Sequence, residues 1–488
     1  MDFIENRLSL RLFGEAAIEK IHKSALEILS GTGVKFEAAE ARAILVKAGA
    51  KEDGQGVVRI PKEMVETALS QTRSSVTLYN VAGEAKVFLE GDNTYFDPGS
   101  SALLMLEADG LTTHPAMAAD LVDIVRLTEQ LDALSIQSTS ISPGDVPQEI
   151  VDCYRAYLLL RHGAKPMLSG AFSVPGVQHI HDLVAAATGD AALSERPRVI
   201  MDICPSPPLK WAELACHNIM DCARLGMPIE FISVPMPGAC SPATLAGSVL
   251  VHTAEALSGV VLAQLVKPGA PVIYGGAPMH FDMGTMNTCL SSPEVTLMLL
   301  GYSQMGKYYG LPTHTYAALS DSKVNDSQAG AESMMGGLAA ALGGVNMVSG
   351  PGLLEFARIV SLEKLVIDND ICNQILRIKR GIDVSDETLA GAMIAAQGPG
   401  GDYISQGHTA KWFRKETCFL SPAWSRQSRG NWLDDGAPQM QQRAADRVKT
   451  LMAKTPARQE FAGAKDLDKA MLEIMKVNGI SRLPVQPE

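Results

Sequence analysis

Eight short runs of apolar and β-branched residues recur along the chain at 93–97, 133–138, 166–171, 198–204, 228–234, 270–275, 312–317 and 345–350, roughly 30 to 42 residues apart. Most are separated by an amphipathic or Ala-rich helical stretch, as at 118–131, 148–161, 177–188, 210–225 and 243–266. Strands joined through helices run parallel, because the helix carries the chain back to the start of the next strand. Eight such units predict an α/β protein built on a closed (β/α)8 TIM barrel. An open doubly wound sheet has the same alternation and is the alternative, but the count of eight favours closure.

Small or polar residues follow each run, among them Asp97-Pro98-Gly99-Ser100, Ser169-Gly170-Ala171-Phe172, Cys204-Pro205-Ser206 and Ser349-Gly350-Pro351-Gly352. In a barrel these residues line one mouth, the face on which barrel enzymes carry their chemistry. Residues 1–90 read as an appendage of helices and short strands, 91–360 as the barrel, and 361–488 as C-terminal helices with a mouth loop packed on it. That loop, 398–432, is rich in Gly, Ser and aromatics and holds Trp412, Trp424 and Trp432.

The formal charge of −12, from 54 acidic and 42 basic side chains, argues against nucleic acid as the partner. The most apolar stretch, Leu245 to Val266, is broken by His252, Glu255 and Gln264, and reads as a buried helix. No basic segment followed by an apolar one opens the chain, and the eight cysteines form no C-x-x-C pair; a cytoplasmic protein with reduced thiols is the expectation.

There is no H-E-x-x-H, no nucleophile elbow and no phosphate-binding loop of the G-x-x-x-x-G-K type, and no resident metal is expected. His179 and His181 sit two apart in a helical stretch and do not share a face. Polar groups on or just after the strands carry more information: Asp97, Asp202, Glu230, Tyr274, His314 and Tyr316. A parallel barrel strand is expected to be apolar on both faces. Glu230, between Ile229 and Phe231, is either half of a structural ion pair or a counter-charge or proton-handling group for a substrate. Aromatics near strand ends (Tyr95, Phe96, Phe172, Tyr274, Tyr316, Phe356) and in the loop (Tyr403, Trp412, Phe413, Trp424) are either core filler or a cage for a quaternary ammonium ion. His408, Lys411, Arg414 or Arg426 of the loop would hold a carboxylate. A cage with an anion clamp describes a betaine.

Four segments carry a resemblance: TYFDPGSSALLMLEADG (94–110), the long stretch from Pro228 to Gly276, SDSKVNDSQAGAES (320–333) and QGPGGDYISQGHTAKWFR (397–414). The chain resembles the trimethylamine methyltransferase family of corrinoid-dependent methyltransferases. The resemblance implies a (β/α)8 barrel that moves a methyl group from an amine to the Co(I) centre of a partner corrinoid protein, with no tightly bound cofactor of its own. Founding members carry pyrrolysine, whereas every residue here is one of the standard twenty. In this it is similar to the members acting on glycine betaine, carnitine or proline betaine. A quaternary ammonium leaves as a neutral tertiary amine and needs no covalent activation. Glycine betaine, the smallest, is the first substrate to expect, and a homo-oligomer is plausible. On this reading Tyr95, Phe96, Tyr274, Tyr316 and Trp424 form the cage, Glu230 is the counter-charge, His408 binds the carboxylate and Asp321 orients a cage group. The alternatives are a betaine-binding barrel without turnover, and a lyase using Glu230 and Asp202 as acid and base.

Overall fold

The computed structural model describes residues 8–190, 193–456 and 460–487. Eight strands alternate with eight helices. They are β1 (Tyr95–Asp97), α1 (Ala118–Glu129), β2 (Gln137–Ser138), α2 (Val151–His162), β3 (Met167–Ser169), α3 (Gly176–Thr188), β4 (Val199–Ile203) and α4 (Glu213–Leu225), then β5 (Ile229–Ser233), α5 (Leu245–Val266), β6 (Val272–Gly276), α6 (Pro293–Tyr308), β7 (His314–Tyr316), α7 (Ser327–Leu342), β8 (Met347–Ser349) and α8 (Leu362–Arg380). Strands β2 to β6 pair in sequence order, all parallel, and so do β7, β8 and β1. Parallel bridges from Phe96 to Leu134 and from Tyr274 to Thr313 join the two sets. Pairing therefore runs from β1 through β8 and returns to β1. Each of the eight runs foreseen in the sequence coincides with one of these strands, β6 extending one residue beyond its run.

Alternation along a strand separates an inner from an outer face. Ile136, Leu168, Ile200, Ile273 and Met347, at or near the strand starts, pack against Val76, Leu78, Val87 and Leu89. The latter four belong to an antiparallel hairpin of strands Val76–Tyr79 and Ala85–Leu89, which stops the lower end of the ring. Toward the other end the inner positions become polar or lose their side chain, at Asp97, Asp202, Glu230, Gly275, His314 and Ser349. Outer residues such as Phe96, Phe231, Tyr274 and Val348 join the main core beneath the helices.

Helix α5 has almost no amphipathic character because it has no free face. Helices Glu15–Glu27, Ala39–Lys47 and Lys62–Gln71 cover it from outside, and α4 and α6 flank it. It is long and apolar enough to cross a membrane by length and composition, yet most of it is buried inside the protein. On the opposite side, helix Met440–Met452 packs on α8 and α1, and helix Ala464–Val477 on α3 and α2.

Helix Gly407–Glu416 of the Gly- and Trp-rich segment does not lie at the mouth. Helix α8 has 19 residues and spans about 28 Å, so it returns the chain to the strand starts before this segment begins. Near its end Lys379 donates to Thr94 Oγ1, just before β1. At the same end Arg377 binds Glu416 at 2.7 Å, and Arg380 donates to the Lys415 carbonyl. Helix Gly407–Glu416 is therefore placed at the far end of the ring, with none of its residues buried.

Candidate functional site

A cavity of about 440 Å³ opens at the C-terminal ends of the strands, with Ser100, Ser101, Gly170, Phe172, Asp202, Cys204, Leu290 and Tyr316 among its lining. The backbone around it is strained. Ser101 and Ala357 on the wall, with Glu355 and Phe356 just before Ala357 and Ala318 just after the wall residue Tyr316, adopt left-handed conformations with φ between 45° and 63°. Such conformations in residues with a Cβ persist where surrounding structure imposes them, and they concentrate at binding sites.

Inside the ring beside this cavity four side chains form a line. Glu230 Oε1 lies 2.6 Å from His314 Nδ1. His314 Nε2 lies 2.9 Å from Ser349 Oγ, and Ser349 Oγ donates to Asp97 Oδ2 at 2.7 Å. Glu230, His314, Ser349 and Asp97 are fully buried. The register explains the last contact, since Ser349 of β8 stands directly opposite Asp97 of β1. The Glu230–His314 approach is close but not aligned as a hydrogen bond, so both Glu230 oxygens, and Asp97 Oδ1, lack a hydrogen-bond partner.

Burial governs the protonation of this group. It pushes the Glu230 carboxyl well above the usual carboxylate range, and the nearby Asp202 adds to the shift. Asp97 is raised for the same reason, against the bond from Ser349 and reinforced by Glu230 and Asp202. Burial depresses His314 to about 3, so the imidazole is neutral. Asp202 is also raised by burial, but the Arg155 guanidinium opposes the shift and favours its charged form. The site thus gathers three carboxyls in a dry interior with one buried cation nearby.

Two glycines make room for this arrangement. A Cβ on Gly275 would stand 3.0 Å from His314 Nδ1 and 3.1 Å from Glu230 Cγ, and one on Gly170 would stand 2.3 Å from Asp202 Oδ1. Arg155 of α2 supports the wall from behind. It bonds the Ser101 hydroxyl at 3.2 Å and the Thr139 and Ile141 carbonyls at 3.3 Å, and its guanidinium carbon lies 4.5 Å from the centre of the Phe172 ring. Phe172 itself is 48% exposed at the opening. Cys204, open to the cavity, has its thiol pushed up by the surrounding protein and by Asp202 and Glu230, and stays protonated.

The residues singled out in the sequence divide sharply. Glu230 and Tyr316 face the ring interior, with Tyr316 on the cavity wall and its hydroxyl 2.5 Å from Ser100 Oγ. Asp321 lies at the rim, where its carboxylate accepts the Leu290 and Ser291 amides at 3.0 Å; it holds the loop that lines the cavity rather than a cage ring. Tyr95 packs at the lower end against the hairpin cluster. Phe96 and Tyr274 point outward, because each neighbours an inward residue on its strand; the Tyr274 hydroxyl donates to Thr253 on α5 at 3.1 Å. His408 is half-buried at the far end of the ring, 3.1 Å from the Glu387 carbonyl. Trp424 is half-buried against the outer core, beside Ser421, whose hydroxyl bonds Asp370 of α8. Aromatic lining therefore reduces to Phe172 and Tyr316, and no Arg, Lys or His side chain lines the cavity among the described residues. The sequence reading had noted Asp97, Asp202 and His314 as misplaced polar residues on strands. Gly170, Gly275 and Ser349 stand in the sequence only as strand-end residues of the mouth and Arg155 does not stand out at all, because their roles depend on which residues face them.

The model of the trimethylamine methyltransferase family matches residues 2–470. The chain belongs to that family. A trimethylamine methyltransferase of Desulfitobacterium hafniense strain DCB-2 is 31% identical over 442 residues, covering 90% of this chain and 89% of the relative. A glycine betaine methyltransferase of strain Y51 of the same species is 31% identical over 446 residues, covering 90% and 91%. A trimethylamine methyltransferase of Methanosarcina barkeri is 33% identical over 411 residues, covering 83% of each chain. Among solved structures, the Methanosarcina barkeri monomethylamine methyltransferase superposes with a TM-score of 0.54 at 11% identity, covering 91% of this chain and 88% of the other. At that identity the superposition speaks for a shared fold only. As a family member this chain is a methyltransferase, and the cavity at the strand ends, lined by Asp202 with Glu230 and Asp97 beside it inside the ring, is its candidate active site.

Proposed function

We propose that this methyltransferase, a (β/α)8 barrel, takes a methyl group from a quaternary amine, with glycine betaine the first compound to test, and passes it to the Co(I) centre of a partner corrinoid protein. The observation that carries the reading is the cluster of Asp202, Glu230 and Asp97 at the cavity, three of whose buried carboxyl oxygens lack a hydrogen-bond partner. Unpaired buried acids call for a cation. A quaternary ammonium has no N–H to donate and spreads its charge over its methyl groups, which suits apolar walls of Phe172, Tyr316 and Leu290 above acidic groups. Support for the substrate class also comes from the glycine betaine methyltransferase relative and from the absence of any residue outside the standard twenty.

The chemistry is an in-line displacement. The Co(I) electron pair attacks the N-methyl carbon, the C–N bond breaks, and the tertiary amine keeps that bond's electrons. No side chain needs to become a nucleophile. The residues of this chain hold the ammonium against the acids, point one methyl toward the opening and exclude water. An anion at the other end of a betaine would meet the Ser100 and Ser101 hydroxyls, within the field of Arg155 behind Phe172.

The test is anaerobic spectroscopy with Co(I) cobalamin, or its cognate corrinoid protein, and a panel of glycine betaine, carnitine, proline betaine, choline and trimethylamine. Loss of the Co(I) band with growth of a methyl-Co(III) band on adding a quaternary amine is the expected result. Turnover of trimethylamine alone would overturn the substrate class, and binding without turnover against the corrinoid protein would overturn the reaction.

A further inference from the structure

We propose that Glu230, His314, Ser349 and Asp97 form a proton relay that moves one negative charge between Glu230 and Asp97 in step with the charge of the bound amine. The inference rests on the quaternary-amine reading above.

The line has the chemistry a relay needs. Both ends are carboxyls. Both links are groups that can donate and accept at once: a neutral imidazole through its two nitrogens and a hydroxyl through its oxygen. The separations are 2.6, 2.9 and 2.7 Å. All four side chains are fully buried, and the carboxyl oxygens at either end that do not contact the line have no hydrogen-bond partner. Transfer at this link requires the Glu230 carboxyl to turn into alignment with the ring nitrogen. The other titratable groups facing the line are Asp202 on β4, Cys204 just after it, Tyr302 on α6, Tyr316 on β7 and Cys372 on α8. Arg155 faces Asp202 and favours its ionised form, which leaves Glu230 and Asp97 as the pair between which a proton can move.

A fixed carboxylate would suit only half of the reaction. The substrate carries a permanent positive charge and the product amine, at the moment of methyl transfer, carries none. With the cation bound, Glu230 is ionised and Asp97 holds the proton. When the charge leaves, Asp97 gives its proton to Ser349 Oγ, Ser349 gives its own to His314 Nε2, and His314 gives its Nδ1 proton to Glu230. One proton is lost by Asp97 and one gained by Glu230; Ser349 is restored and His314 is left as its other neutral tautomer. The charge on the line thereby passes from Glu230 to Asp97, beside Ser349, while Asp202 keeps its own opposite Arg155. Ser349 and His314 are thus positioning residues for charge.

Infrared difference spectroscopy of the full chain tests this with two ligands of one shape, glycine betaine and its carbon isostere 3,3-dimethylbutanoate. Betaine is expected to remove one protonated-carboxyl band and create another; the first is absent in Glu230→Gln and the second in Asp97→Asn. The isostere is expected to produce neither. Calorimetry on Ser349→Ala, which cuts the line but keeps both acids, is expected to lower the betaine-to-isostere affinity ratio about ten-fold through betaine alone. Equal weakening of both ligands, an unchanged ratio, or missing bands in a wild type that prefers betaine would overturn the relay. A wild type that binds both ligands equally would overturn the quaternary-amine reading itself.

Discussion

His314 Nδ1 and Glu230 Oε1 meet at 2.6 Å inside the ring, from strands β7 and β5, across the intervening β6. The meeting is possible because β6 contributes Gly275 at that level, whose missing side chain leaves space for both.

Gly275→Ala is accordingly expected to spread the pair. Its Cβ would stand 3.0 Å from both the ring nitrogen and the rigid Phe231 carbonyl. Overpacking of this kind costs about 1–3 kcal/mol. Methyl transfer is expected to fall about ten-fold or more while the chain still folds, because small displacements in a positioned site are costly to rate. Thermal unfolding and single-turnover rates measured on one sample check both parts.

Asp202 lines the cavity, and Arg155 favours its charged form. Replacing it by Asn is expected to weaken tetramethylammonium and betaine about ten-fold while leaving 3,3-dimethylbutanoate unaffected or tighter. Phe172→Ala, which removes one ring face from the opening, is expected to cost a cation about 1 kcal/mol. Calorimetric titration with the three ligands separates loss of charge from loss of shape.

His408 and Trp424 lie away from the cavity, at the far end of the ring and on its outer helices. His408→Ala and Trp424→Ala are expected to leave the methyl-transfer rate within about two-fold, as surface and outer-core changes remote from a site do. A ten-fold loss in His408→Ala would contradict the placement of helix Gly407–Glu416.

Glu255, buried on α5, accepts the Leu209 amide at 2.7 Å and the Ser233 hydroxyl at 2.5 Å, yet burial raises it from 4.5 to about 7. The folded protein therefore holds this proton more tightly than the unfolded chain. Its contribution to stability is fully present below about pH 4.5 and is lost as the pH rises through about 7. Glu255→Gln is expected to remove that dependence, gaining roughly 3 kcal/mol on the wild type between about pH 4.5 and 8 at about 1.4 kcal/mol per pH unit. Urea unfolding across that range measures it.

Helices Glu15–Glu27, Ala39–Lys47 and Lys62–Gln71 cover the outer side of α5. A chain lacking residues 1–72 is expected to expose an apolar helix face and aggregate or bind detergent. Size-exclusion chromatography with and without detergent distinguishes this from a harmless trimming.

How much was legible in the sequence follows from which interactions are local. Strand–helix alternation repeats a local pattern, and each of the eight extended runs overlaps a ring strand. The polar residues on those strands stand out because a parallel strand should have none, and Glu230 and Tyr316 among them do face the ring interior. Tyr95, Phe96 and Tyr274 were misassigned because proximity to a strand end does not fix side-chain direction. Strand parity sends Phe96 and Tyr274 outward, and the hairpin below claims Tyr95.

The sequence by itself determined the repeating unit, the family, and the presence of acids where apolar residues belong. Only the tertiary structure decided what those acids face. Closing the ring sets β8 beside β1, which places Ser349 against Asp97 although 252 residues separate them. The length of α8 carries helix Gly407–Glu416 away from the mouth. Both outcomes depend on distances set by the whole ring and its helices, which no local run of residues encodes.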